Sequence, residues 1–233
     1  MTAPAKPTET TIERPSRWGL VRRRPIWFPT MRGWLILAVL AALIVAAGLR
    51  GAYPFLAVNA PVHGGALVAE GWLPDYALEE AMAEFKRHPF EKLYVTGGPM
   101  EAGGFLSEYK TYAQLGAATL SKLGMREDQL QAVPAPFVQQ DRTFVAAVAL
   151  KNWLHEHGRT HRSIHVISKG PHARRTRLLF QKAMGDGVTI GISAVEDRNY
   201  DPKKWWAGSY GVRAMVDEIV AYGYARLLFR PES

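Results

Sequence analysis

The 233-residue sequence contains no cysteine, which excludes disulfides, thiolate metal sites and thiol nucleophiles together. That absence says nothing of compartment, because a cysteine-free chain suits either side of a membrane. A Walker loop, a GxGxxG fingerprint and a nucleophile elbow are also missing. No internal repeat occurs, and no low-complexity tract follows the N-terminal tail. Acidic residues are in deficit, 21 against 29 Lys and Arg, for a net charge of +8. With 48% hydrophobic and 21% charged residues the composition is globular, and wholesale disorder is excluded. The length allows one domain with an appendage, or two small domains.

Polar side chains vanish altogether over residues 33–49, GWLILAVLAALIVAAGL. At about 1.5 Å per residue such a run reaches roughly 26 Å, enough for a bilayer core. Trp34 and Tyr53 sit at its two ends, where interfacial aromatics belong. Residues 33–53 therefore read as a transmembrane anchor that places the lipid bilayer among the partners. Seven basic residues precede it, including Arg22, Arg23 and Arg24, whereas only Arg50 follows closely. The positive-inside rule puts the tail, residues 1–32, in the cytoplasm and the rest across the plasma membrane. A cleaved signal peptide is the competing reading, since Val58-Asn59-Ala60 resembles a small-residue cleavage site. The long preceding segment and Pro61 argue against it.

Beyond the anchor, short apolar runs alternate with helical periods. Strands are expected over 66–69, 93–96, 130–133, 164–167 and 188–192, and helices over 75–88, 105–123, 142–157, 173–184 and 211–229. Strands separated by helices of this length predict an α/β, Rossmann-like three-layer domain. Its sheet would be mostly parallel, of about five strands, and the domain would cover residues 60–230.

Ligands of open α/β sheets bind beyond the carboxyl ends of the strands, so the residues following each strand are the candidates. They are Glu70-Gly71-Trp72, then Gly97-Gly98 with Ser107 and Glu108 early in the next helix. Asp141-Arg142-Thr143 follow at another helix start, and Ser168-Lys169-Gly170-Pro171-His172 lead into Arg174, Arg175 and Arg177. Gly-Pro-His at a helix start presents backbone donors to an anion. His172 and Arg175 lie three apart on one face. Taken singly, Asp141 reads as an N-cap, Thr143 as a capping aid and Glu108 as a solvated acid. Their joint placement on successive strand ends favours a site. His155, His157, His161 and His165 do not form a metal set, because Gly158 interrupts the helix and His165 falls in a buried strand. No metal and no cofactor is called. Trp205-Trp206 reads as packing beneath the last helix, with a lipid- or ligand-facing role as the alternative.

The ordered set Gly97-Gly98, Ser107-Glu108, Asp141 and Thr143, His172 and Arg175, and the late Glu218 resembles the YdcF-like family, which includes the SanA and ElyC types. The resemblance spans about residues 62–230. The first strand departs from the pattern: the family begins it with Asp and ends it in a Gly-rich turn. Here it runs from His63-Gly64-Gly65-Ala66 to Glu70-Gly71-Trp72. The resemblance implies an anchored, extracytoplasmic domain at the bacterial inner membrane, engaged in cell-envelope or cell-wall biogenesis through a lipid-linked carrier.

Two functional readings follow. In one, the domain is a hydrolase or transferase for a phosphate-bearing ligand. His172 would be the general acid/base, Glu70, Glu108 or Asp141 its carboxylate partner, and Arg175 with the strand-end amides the phosphate clamp. In the other, it is a non-catalytic regulatory module for a nucleotide-like or SAM-like ligand. Residues 51–233 hold 21 basic and 19 acidic side chains, so the high pI records topology and no nucleic-acid partner is expected.

Overall fold

The computed structural model describes residues 27–231 except Phe105. Most of the basic tail, including Arg22, Arg23 and Arg24, lies outside the described residues. Two compact units result, Met1–Ile44 and Val45–Ser233. The first helix, α1 (Met31–Leu56), bridges the division. Its most apolar window has a mean hydropathy of 2.3 and none of it is buried, so it is long and apolar enough to cross a membrane. The helix extends three residues past the expected anchor, through Pro54.

The second unit contains β1 (Gly65–Glu70), α2 (Asp75–Arg87), β2 (Phe90–Gly97), α3 (Tyr112–Lys122), β3 (Leu130–Pro134), α4 (Arg142–Glu156), β4 (Ser163–Lys169), α5 (Ala173–Met184), β5 (Thr189–Val195) and α6 (Ser209–Leu227). All five strands are parallel, in the order β3-β2-β1-β4-β5. Helices cover both faces of this Rossmann-like sheet. The central strands are therefore buried on both sides and read as continuous apolar runs rather than alternating ones.

Side chains nevertheless alternate between faces. Ala66, Val68, Tyr94, Ile164 and Val166 join Leu150 and Phe180 in a core beneath α4 and α5. Leu67, Ala69, Leu93, Val95 and Ile167 join Leu78 and Leu120 beneath α2 and α3. A third cluster holds Leu56, Trp205 and Met215, with Leu49, Ala52, Tyr53 and Tyr222 packed around it. The end of α1 is thus part of the packed domain.

One helix boundary differs from expectation. The helix predicted from residue 105 begins at Tyr112, because Thr111 and Gln114 form a reciprocal capping box. Ser107 and Glu108 consequently lie in the preceding loop. Two glycines permit the close seating of α3: a Cβ on Gly71 would lie 2.2 Å from the Tyr112 carbonyl oxygen, and one on Gly97 would lie 2.9 Å from Tyr112 Cβ. Gly97, expected to admit a ligand, thus also admits this helix.

Candidate functional site

The strand order reverses between β1 and β4, which places the topological switch point at their carboxyl ends. The period-2 alternation then decides which polar groups meet there. Glu70 continues the row of Ala66 and Val68, Thr96 that of Tyr94, and Ser168 that of Ile164 and Val166. All three emerge on the α4–α5 face, and all three are buried.

Burial of a carboxylate requires partners. Ser168 Oγ donates to Glu70 Oε2 at 2.5 Å, and Thr176 Oγ1 lies 3.4 Å from the same oxygen. Glu70 Oε1 stands 3.4 Å from His172 Nε2. The 3₁₀ turn Gly170–His172 and the first turn of α5 carry His172 and Arg175, which close on a third chain segment, Glu218 of α6. His172 Nδ1 donates to Glu218 Oε1 at 2.8 Å, and Arg175 grips the same carboxylate through Nε and Nη2, each at 2.9 Å. This two-point fork suits a guanidinium and not an ammonium.

The ionisation follows from that geometry. Burial works against a charged His172, but the Glu70 carboxylate and the Glu218 hydrogen bond outweigh it and push its pKa up to about 9. Burial likewise disfavours the Glu70 and Glu218 carboxylates. His172 nevertheless pulls Glu70 down, and Arg175 with His172 pulls Glu218 down to about 2. At neutral pH the group is a balanced quartet of two cations and two anions. With its pKa raised, His172 favours the charged, proton-donating form in this arrangement. Its Nε2 is buried and, among the described residues, makes no full hydrogen bond, with Glu70 Oε1 beside it at 3.4 Å.

The quartet borders a cavity of about 590 Å³ that also meets Gly97, Gly98, Asp141, Arg142, Thr143 and Tyr224. Asp141 adopts a left-handed conformation, φ 55° and ψ 31°, which is uncommon outside glycine but tolerated by Asp. It stands at the N-cap position of α4, yet its side chain makes no capping bond. The N-terminus of α4 thus meets the cavity without a side-chain cap, in contrast to that of α3, which Thr111 closes. Arg142 pairs with Glu101 at the rim.

Seven of the ten sequence candidates line one cavity: Glu70, Gly97, Gly98, Asp141, Thr143, His172 and Arg175. Glu218 stands directly behind it as the shared partner of His172 and Arg175. Ser107 and Glu108 do not join them. Ser107 Oγ accepts from the Tyr109 amide at 3.1 Å, and Glu108 is exposed, so the expected carboxylate role of Glu108 is not met in this arrangement. Sequence reasoning missed Ser168 and Thr176 as Glu70 partners. It also missed the cavity-lining aromatic Phe137, whereas Trp72, named only as part of the first strand end, lines the cavity and meets His172 edge-on at 5.2 Å. The alternation along β4 could have singled out Ser168; nothing local marks Phe137.

At the opposite, amino edge of the sheet, His63, Glu84 and His88 offer ligand atoms within 4.8 Å of one another. The two imidazoles are stacked, with centroids 4.0 Å apart and planes only 28° apart. A metal must lie in the plane of each ring it binds. Near-parallel stacked planes do not converge on one ion, and Arg87 already bonds Glu84. Compared with known proteins, the chain matches no family model, and no curated protein matches it.

Proposed function

We propose that this chain is a single-pass membrane protein whose α/β domain binds a phosphate-bearing ligand in the cavity at the β1–β4 switch point. The observation that carries the reading is His172 Nε2, a buried donor that makes no full hydrogen bond, with Glu70 Oε1 at 3.4 Å, in a cavity that an uncapped helix start also meets. Arg175 spends Nε and Nη2 on Glu218, and among the described residues Nη1 has no hydrogen bond, which leaves it for an incoming anion. Phosphate oxygens would accept from His172, Arg175 and the amides of Arg142 and Thr143. In a hydrolase or transferase on this frame, His172 would protonate the leaving group. Asp141, whose carboxylate is not spent on capping, would activate the attacking hydroxyl or water.

Packing at the end of α1 supports an uncleaved anchor. Leu56 is 1% exposed against Trp205 and Met215, and cleavage after Ala60 would strip that cover. The basic tail ahead of the apolar run then favours a cytoplasmic N-terminus and an extracytoplasmic domain at the bacterial inner membrane. An envelope-precursor ligand, including a lipid-linked one, fits that location. The second reading, a non-catalytic nucleotide-like or SAM-like module, is favoured by a different observation. Trp72 and Phe137 offer exposed aromatic faces on the cavity, and the carboxylates beside them suit hydroxyl or amino groups.

The test uses the full chain in detergent. Inorganic phosphate, polyprenyl phosphate and nucleotides should raise the Tm, and Arg175→Lys should lose most of that gain while remaining folded. Phosphate release that disappears in both His172→Gln and Asp141→Asn establishes the enzyme. Stabilisation without turnover establishes the binding module. No stabilisation by any phosphate-bearing compound removes both.

A further inference from the structure

The last helix, α6, is apolar on two opposite faces. Its inner face carries Gly211, Met215 and Ala225, all buried. At 3.6 residues per turn the opposite face collects Val212, Val216, Ile219, Val220 and Leu227, and every one of these is exposed, Val220 by 67% and Leu227 by 77%. Charged residues are confined to the borders of this outer stripe, with Arg213 and Asp217 on one side and Arg226 on the other. A surface helix of a water-soluble domain keeps its polar residues opposite the core, so this stripe requires a cover.

Its surroundings say what the cover is. Trp205, four residues before α6, donates its indole N–H to the Leu49 carbonyl at 2.9 Å. Leu49 is the residue at which the apolar run of α1 ends. Phe55 and Tyr222 meet edge-on with centroids 5.8 Å apart, and Leu56 packs on Met215. The inner face of α6 therefore packs on the segment at which α1 leaves its apolar run, which holds this helix beside the point of emergence from the bilayer. Trp206 and Tyr210 are exposed at its start, the aromatic pair expected at a headgroup boundary. Over residues 201–227 the exposed cations Lys203, Lys204, Arg213 and Arg226 outnumber the exposed acids Asp201 and Asp217, which complements anionic lipid.

We propose that the outer face of α6 docks on the surface of the same bilayer that α1 crosses, so that α6 is an interfacial helix and not a solvent-facing one. Ala221, Tyr224 and Ala225 of the same helix line the cavity. Docking therefore brings the ligand cavity next to the headgroup layer and gives a lipid-borne ligand a short route into it. The inference rests on the anchor reading.

The absence of cysteine makes the experiment clean, because any introduced thiol is the only one. Val216→Cys, Val220→Cys, Leu40→Cys and Asn152→Cys full chains are labelled with a nitroxide and reconstituted in phosphatidylethanolamine–phosphatidylglycerol vesicles. The ratio of oxygen to nickel-chelate accessibility is then read by electron spin resonance. A ratio several-fold higher at 216 and 220 than at the exposed α4 position 152, approaching that at 40, supports docking. Water-like values at 216 and 220 with a lipid-like value at 40 overturn docking and leave the anchor standing. A water-like or missing label at 40 overturns the anchor and the docking with it. Dry labels at 216 and 220 that show dipolar broadening between molecules overturn docking in favour of a second copy on this face.

Discussion

Two histidines, one within β4 and one in the turn that follows it, ionise in opposite directions. His172, at the carboxyl edge, is held between the Glu70 and Glu218 carboxylates and its pKa is pushed up to about 9. His165, within β4 and toward the amino edge, meets no carboxylate. Burial, with His63 and His88 nearby, lowers it to about 4. Its ring is satisfied by neutral groups, Ser193 Oγ at 3.0 Å and the Val62 amide at 3.4 Å, and Phe90 stacks upon it. Burial acts on both rings alike, so the neighbours decide the charge. A buried imidazole is a functional candidate only where anions surround it.

The largest effect expected from breaking this contrast is in Glu218→Ala. Removing the shared carboxylate leaves Arg175 and His172 facing each other in a largely buried site, at a cost of about 3–5 kcal/mol. Chemical denaturation should show the loss as a lowered midpoint. His165→Ala removes only neutral hydrogen bonds and some packing, for about 1–3 kcal/mol. A larger loss at 165 than at 218 would reverse the assignment of charge.

The pH dependence sharpens the same comparison. A raised His172 pKa means that its stabilisation is complete below 6.5 and is lost as pH rises through 9. A depressed His165 pKa means that its contribution is complete above 6.5 and is lost as pH falls through 4. The Tm of the wild type should therefore peak near pH 6.5 and decline on both sides. His172→Gln should flatten the alkaline limb and, because His172 also holds Glu218 down, weaken the acid limb below 4.5, whereas His165→Gln should flatten the acid limb between 6.5 and 4.5. Below that, Glu218 begins to contribute, since its stabilisation is present above 4.5 and disappears as pH falls through 2. Thermal scans across the pH range check all three slopes.

The smallest effect is expected in Glu108→Gln. An exposed loop carboxylate outside the cavity lining should leave stability within about 0.5 kcal/mol and phosphate-dependent stabilisation unchanged. Loss of the ligand response in this variant would require the loop at 98–111 to close over the cavity.

Local pattern was sufficient for much of the architecture. The 17-residue apolar run, the five strand positions and the parallel α/β class follow from hydrophobic period and length, which depend on neighbours in sequence. The start of α3 was also written locally, in Thr111 and Gln114, although the apolar spacing upstream suggested an earlier one. Most candidate site residues were legible because the strand ends of such a sheet gather on one edge. Glu108 misled for the same reason: proximity to a strand end in sequence places a residue near the edge, not in the cavity.

What tertiary structure alone decided is which groups share a proton and a charge. Glu218 lies 43 residues from Arg175 and 46 from His172, and only the packing of α6 on α5 makes it their common partner. The opposite ionisation of His165 and His172, seven residues apart, is likewise invisible in composition or spacing. So is the second apolar face of α6, whose period merges with the first until burial separates the inner face from the outer. The physical reason is common to all three. Periodicity is a property of one segment, whereas desolvation and Coulomb pairing depend on atoms a few ångströms away through space, which chain folding alone brings together.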